Sequence, residues 1–261
     1  MNTTGYLRLT TVFIALAGVL SLGFLPPRQN ESQPLQQLLL EHQLKRVEQF
    51  DTTLAALETA AIEGKPVKVL QNRWMDARDA FKRVEFMIQH FSPQWHRWFN
   101  GANLPVIEPD EEGARTFQEF EPIGLQVLEE ELFDGIPLDD VHVRVQHHTK
   151  YMRDRLHRHA VMQRKYPPLP AMYIEAMRHE ILRIGSMTIA DFDSPILGRG
   201  DEEAAIALDE LQIFMRLLEA NLETEKSLTS TIIKHLEAAK AELNAGAFSA
   251  FYFTRDHLNP L

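Results

Sequence analysis

Apolar residues recur at steps of three and four along most of this chain, the spacing of amphipathic helices. A first helix is predicted over residues 33–63, closed by Gly64, with Pro66 placed to open the next. In that second helix Trp74, Ala77, Phe81, Val84, Ile88 and Phe91 form one stripe that runs to Pro93. Further helices are expected from about Pro122 to Phe133, from Asp139 or Asp140 to about Lys165, and from Pro170 to about Ala190. Asp201 is placed to cap another, with the stripe Ala204, Leu208, Leu211, Met215, Leu218 and Leu222. The last carries Leu228, Ile232, Leu236, Ala239 and Leu243 and stops at Gly246. Residues 93–120 read as a long connection broken by Pro105, Pro109 and Gly113, with Trp95, Trp98 and Phe99 close together. No run has the alternation of a strand, and no period repeats. The pattern predicts an all-α protein of seven helices in antiparallel bundles, two of them sharing a face.

The two ends depart from this pattern. Leu9 to Leu25 is almost wholly apolar, follows Arg8 and ends at Pro26-Pro27. It is long for a signal peptide and short for a spanning helix. Residues 1–28 are therefore expected to be a signal peptide, with Ser21-Leu22-Gly23 as a cleavage site, or an anchor held by residues 7–25. In either case residues 29–261 form the helical domain on the far side of a membrane, in the periplasm or cell envelope. At the other end Phe248, Phe251, Tyr252 and Phe253 crowd together and need a surface to pack on, either the bundle or another polypeptide.

Charge and cysteine content narrow the function. The formal net charge is −10, and the apolar N-terminal run carries no charge of its own, with Arg8 just before it. Such a domain repels nucleic acid and has no polybasic lipid patch, so any membrane contact is through the N-terminal segment. There is no Cys, hence no disulfide, thiolate site or C-x-x-C-H haem attachment, so covalent haem is excluded.

Candidate chemistry lies in a few places. Gly124, Gln126 and Glu129 have the spacing G-x-Q-x-x-E, which puts Gln126 and Glu129 on one helix face among apolar neighbours. That polar line must meet a partner element or a cavity. Arg78 and Glu85 flank the Trp74 stripe, where charges are half-buried and paired. They either join an interhelical Arg–Glu network, or Glu85 meets Glu129 around a cation such as iron, with Gln126 offering a neutral oxygen. The histidines His142, His147, His148, His157 and His159 are interleaved with arginines and read as a solvated basic face; His148 and His159 share a helix face, three turns apart. His179 stands alone beside Glu180. No H-E-x-x-H, G-x-S-x-G, P-loop or dinucleotide fingerprint is present.

Three segments together resemble a known family. Trp74-Met75-Asp76-Ala77-Arg78 with Glu85 and Pro93 is similar to the first W-x-x-A-R…E…P helix of the imelysin superfamily. Glu121 to Phe133 resembles its G-x-H-x-x-E signature helix, with Gln126 where the family has His. Adding Ile189-Ala190-Asp191-Phe192-Asp193-Ser194-Pro195, the set looks most like the imelysin-like N-terminal region of Bacteroidetes-type di-haem cytochrome c peroxidases, over roughly residues 35–260. The resemblance implies a double four-helix bundle outside the cytoplasm. It also implies an accessory, non-catalytic module that acts with a haem-containing peroxidase or an iron-uptake protein. A divalent cation would sit at Glu85, Gln126 and Glu129, in a cleft shaped by Arg78, Gly124 and His179. Two other readings remain open: a metallopeptidase of imelysin type using Glu129, Glu85 and His179, and a purely structural bundle.

Overall fold

The stripe Leu35, Leu39, Phe50, Leu54 and Leu57 is fully or almost fully buried, and the residues carrying it fold as one long helix, α1 (Ser32–Ile62). A four-residue turn containing Gly64 returns the chain into α2 (Val67–Lys82), which packs antiparallel along α1. In this computed structural model residues 32–104, 106–109, 117–134, 140–221 and 226–244 are described. They continue through α3 (Glu85–Phe91), α4 (Pro93–Asn100), β1 (Val106–Pro109), β2 (Phe117–Phe120), α5 (Leu125–Phe133) and α6 (Val141–Lys165). Then follow α7 (Pro170–Arg183), one π-helical turn (Ile184–Thr188), α8 (Gly200–Asn221) and α9 (Lys226–Asn244). The expected all-α class is found: a helical bundle around one continuous apolar core. α6 lies along α1, α9 along α8, and α3 against α7. Among the described residues no helix is long and apolar enough to cross a membrane. The N-terminal apolar run and the aromatic C-terminal segment lie outside the described residues.

Several boundaries differ from the periodicity, and each difference has a local cause. The Trp74 stripe is not one helix. It breaks at Arg83-Val84, where the Val84 N–H bonds Phe81 O at 2.8 Å and the Met87 N–H bonds Val84 O at 3.1 Å, three residues back in each case. No Pro or Gly signals this break; it brings the wholly buried Lys82 and Glu85 into contact. Residues 93–120 contain α4 and an antiparallel ribbon pairing Val106 with Phe120 and Pro109 with Phe117. The helix carrying Gln126 and Glu129 begins at Leu125 rather than Pro122, because Gly124 pairs its backbone with Asn100 in an isolated bridge. The π turn replaces the last part of the helix expected to reach Ala190.

The histidines of α6 are not uniformly solvated. His147 and His157 are exposed, but His148 and His159 fall on the stripe of Val145, Met152 and Leu156 and are buried. Each is satisfied there: the Gly124 N–H donates to His148 Nδ1 at 3.2 Å, and His159 lies between Gln43 and Ser92. Burial, aided by Arg144 for His148, pushes the two rings down to about 3 and about 4, so both are neutral at pH 7.

Gly124 has φ 136° and ψ −175°, a region open almost only to glycine. A Cβ there would lie 2.8 Å from the backbone C and O of Phe99. Gly124→Ala is expected to lower unfolding free energy by about 2 kcal/mol or more, read as a reduced urea midpoint at unchanged slope. A loss below about 0.5 kcal/mol would contradict the close approach of α4 and α5.

Candidate functional site

The segment Asp191–Pro195, between the π turn and α8, is where the conspicuous sequence segments meet. Asp191 has φ 59°, and its Oδ1 accepts the Gly200 N–H at 2.8 Å, which ties the loop to the start of α8. From α5, Gln126 Nε2 donates to Phe192 O at 3.2 Å. One turn on, Glu129 Oε1 accepts from Ser194 Oγ at 2.7 Å and from the Leu197 N–H at 2.8 Å. The polar line on α5 thus meets this loop. From α2, Arg78 Nη2 donates to Asp193 O at 2.7 Å. The Asp193 carboxylate receives Arg183 Nη2 at 2.6 Å, Thr188 Oγ1 at 3.0 Å, Lys82 Nζ at 3.2 Å and Asn100 Nδ2 at 3.3 Å.

Around Asp193 the charges form a closed network. Arg78 grips Glu203 with both arms, Nε to Oε1 at 2.7 Å and Nη2 to Oε2 at 2.8 Å, and donates Nη1 to Asn100 Oδ1. Lys82 Nζ lies 2.7 Å from Glu85 Oε2 and 3.3 Å from Glu203 Oε2. Arg183 Nη2 also reaches Glu85 Oε1, and His96 Nε2 approaches the same oxygen at 3.1 Å. Three cations therefore face three carboxylates in a nearly dry interior. Burial opposes ionisation of Glu85, yet Arg183 and Lys82 overcome it and hold the carboxyl well below the usual range. Burial likewise opposes the charge on Arg78, and Glu203 more than restores it.

Glu180 of α7 is the fourth acid and has no place in this balance. It is 1% exposed, and neither carboxylate oxygen has a hydrogen-bond partner. Arg183 Nη1 lies 3.8 Å away, too far for a hydrogen bond. Burial pushes this carboxyl up to about 7; Arg183 pulls the other way, and Glu85 adds to the rise.

Beside the network lies a cleft of about 840 Å³, within the usual range of small-molecule sites. His96, Asn100, Gln126, Arg183 and Asp193 give it polar walls, and Phe192 and Met187 give it apolar ones. Of the sequence candidates, Gln126 lines this cleft. Glu85 and Arg78 are buried in the network beneath it. Glu129 is fully buried against Ser194, its Oε2 has no hydrogen-bond partner, and burial raises its carboxyl above the ordinary range despite the Ser194 and Leu197 bonds. Gly124 sets the approach of α5 to α4. His179 sits elsewhere, against His90 on the outer surface. Glu85, Gln126 and Glu129 thus each answer to a different group, and among the described residues no three His, Asp or Glu side chains gather as a metal site.

Lys82, Glu180, Arg183 and Glu203 escaped the sequence reading. A signal existed for two: Glu180 continues the line of Tyr173 and Met177, and Glu203 adjoins the stripe starting at Ala204. No family model, curated protein or solved structure matches the chain.

Because the folded state binds the Glu180 proton more tightly than the unfolded chain, ionising it costs stability. The loss runs from an ordinary 4.5 up to about 7 as pH rises, and is constant beyond. Glu180→Gln removes that loss. Its melting temperature is expected to match the native chain at pH 4.5 and to exceed it at pH 8. Equal melting at both pH values would contradict a protonated Glu180.

Proposed function

We propose that this chain is an exported, non-catalytic module with an imelysin-like double bundle. It binds its ligand in the cleft above Asp193 and acts with a di-haem cytochrome c peroxidase or in iron and haem handling. The observation that carries this reading is convergence. The three segments that resemble the imelysin-like region, on α2–α3, on α5 and at Asp191–Pro195, are far apart in sequence but share one loop and flank one cleft. The non-catalytic part rests on how the acids are held. Glu85 and Asp193 are already paired with cations, and a carboxylate so neutralised is a poor base. Gln126, in the position of the signature histidine, is a neutral amide whose N–H is spent on Phe192.

The metallopeptidase reading draws on Glu129, whose free Oε2 and raised carboxyl suit a general base. Geometry weighs against it, since Glu129 does not line the cleft and its other oxygen is held by two donors. The structural-bundle reading treats the same contacts as interhelical glue, and binding separates it from ours.

Ala102 lines the cleft and is exposed, so Ala102→Trp fills the space without touching the core. Purified protein titrated with haem, ferric iron and a di-haem peroxidase is expected to bind at least one of them. The Trp variant is expected to bind at least tenfold more weakly at unchanged melting temperature. No binding to any of the three overturns the proposal.

A further inference from the structure

A second pair of chemistry-bearing residues lies away from the Asp193 loop and is independent of the cleft reading. His90 occupies the last turn of α3 and His179 the last turns of α7, two helices that pack together. Their Nδ1 atoms are 3.2 Å apart, with ring centroids at 5.1 Å and planes tilted by 50°. Two imidazole nitrogens each bonded to one tetrahedral zinc at its usual bond length lie about 3.3 Å apart. The pair therefore has the bite of two ligands on a single ion, held by two helices rather than by loops. The alternative, one Nδ1–H donating to the other Nδ1, needs only a change of tautomer to become a ligand pair.

The surroundings favour a cation. Burial, then His179, holds the His90 ring below its ordinary range, which disfavours a proton on the ring nitrogen that would bind an ion. The Glu175 carboxylate, one turn before His179 on α7, acts on His90 in the opposite sense and adds negative charge beside the pair. Arg178 holds Glu175 Oε1 at 2.7 Å. His179 is exposed, so water reaches the site. No third His, Asp or Glu converges on the two rings among the described residues, which leaves the remaining coordination positions to water or to an incoming group.

We propose that His90 and His179 form a surface site for one divalent transition-metal ion that prefers imidazole, zinc, copper or nickel, with water completing the shell. Isothermal titration of the full-length protein with Zn²⁺ is expected to show one ion per chain. His90→Ala and His179→Ala are each expected to weaken binding at least tenfold, and His157→Ala, on the exposed face of α6, to leave it unchanged. In the native chain the ¹⁵N signals of both Nδ1 atoms are expected to move together on adding Zn²⁺, a readout that does not depend on a variant folding. No binding, binding that both His90→Ala and His179→Ala retain, or unmoved Nδ1 signals would overturn the proposal.

Discussion

The Asp193 carboxylate is the constraint on which the rest of this structure depends. It is 5% exposed and receives Lys82 from α2, Asn100 from α4, and Arg183 and Thr188 from the end of α7 and the π turn that continues it. Taking charges out of water costs several kcal/mol per ion, so such a cluster is tolerable only when nearly every lone pair and proton is matched. Arg78, Lys82 and Arg183 set against Glu85, Asp193 and Glu203 meet that condition. Glu180 does not, and burial pushes its carboxyl up to about 7 instead. The network also explains why a loop holds a defined shape between a π turn and α8. Its backbone and side chains are claimed by α2, α4, α5 and α7 at once.

The same groups form the wall of the cleft, so architecture and site are one arrangement. Arg183, Asp193 and Asn100 face the cavity while locked in the network. A π turn that departs from regular α-helix immediately after Arg183 is a feature common at functional sites. It places Thr188 to bond Asp193 and Met187 to face the cleft. Such a wall is electrically balanced, with Arg183 and Asp193 already paired to one another.

Much of the bundle was legible because burial needs only periodicity. The described residues of the stripes on α8 and α9 lie in or against the core, as their spacing predicts, and the flanking positions of Arg78 and Glu85 show charges in need of partners. The partners were not legible, because Glu203 is 125 residues from Arg78 and Arg183 is 98 residues from Glu85. A charge on an apolar stripe, such as Glu180, looks like a solvated edge until the facing helix is known. The same holds for His148 and His159, whose arginine-rich neighbours suggested solvent while their helical phase put them in the core. The break at Arg83-Val84 carries no Pro or Gly, so tertiary contacts alone account for it. The spacing of Gln126 and Glu129 shows a polar line that must meet a partner element. That it meets the loop at Phe192 and Ser194 needed the fold.

A double-mutant cycle on Arg183 and Asp193, with Arg183→Met, Asp193→Asn and the pair compared by urea unfolding, tests the central role of this loop most directly. Each single change strands a buried charge, so the single losses are expected to be large and their sum to exceed the loss of the double variant by about 2 kcal/mol. Losses that add to within about 0.5 kcal/mol would mean the two side chains do not sense one another, and the account built on Asp193 would fail.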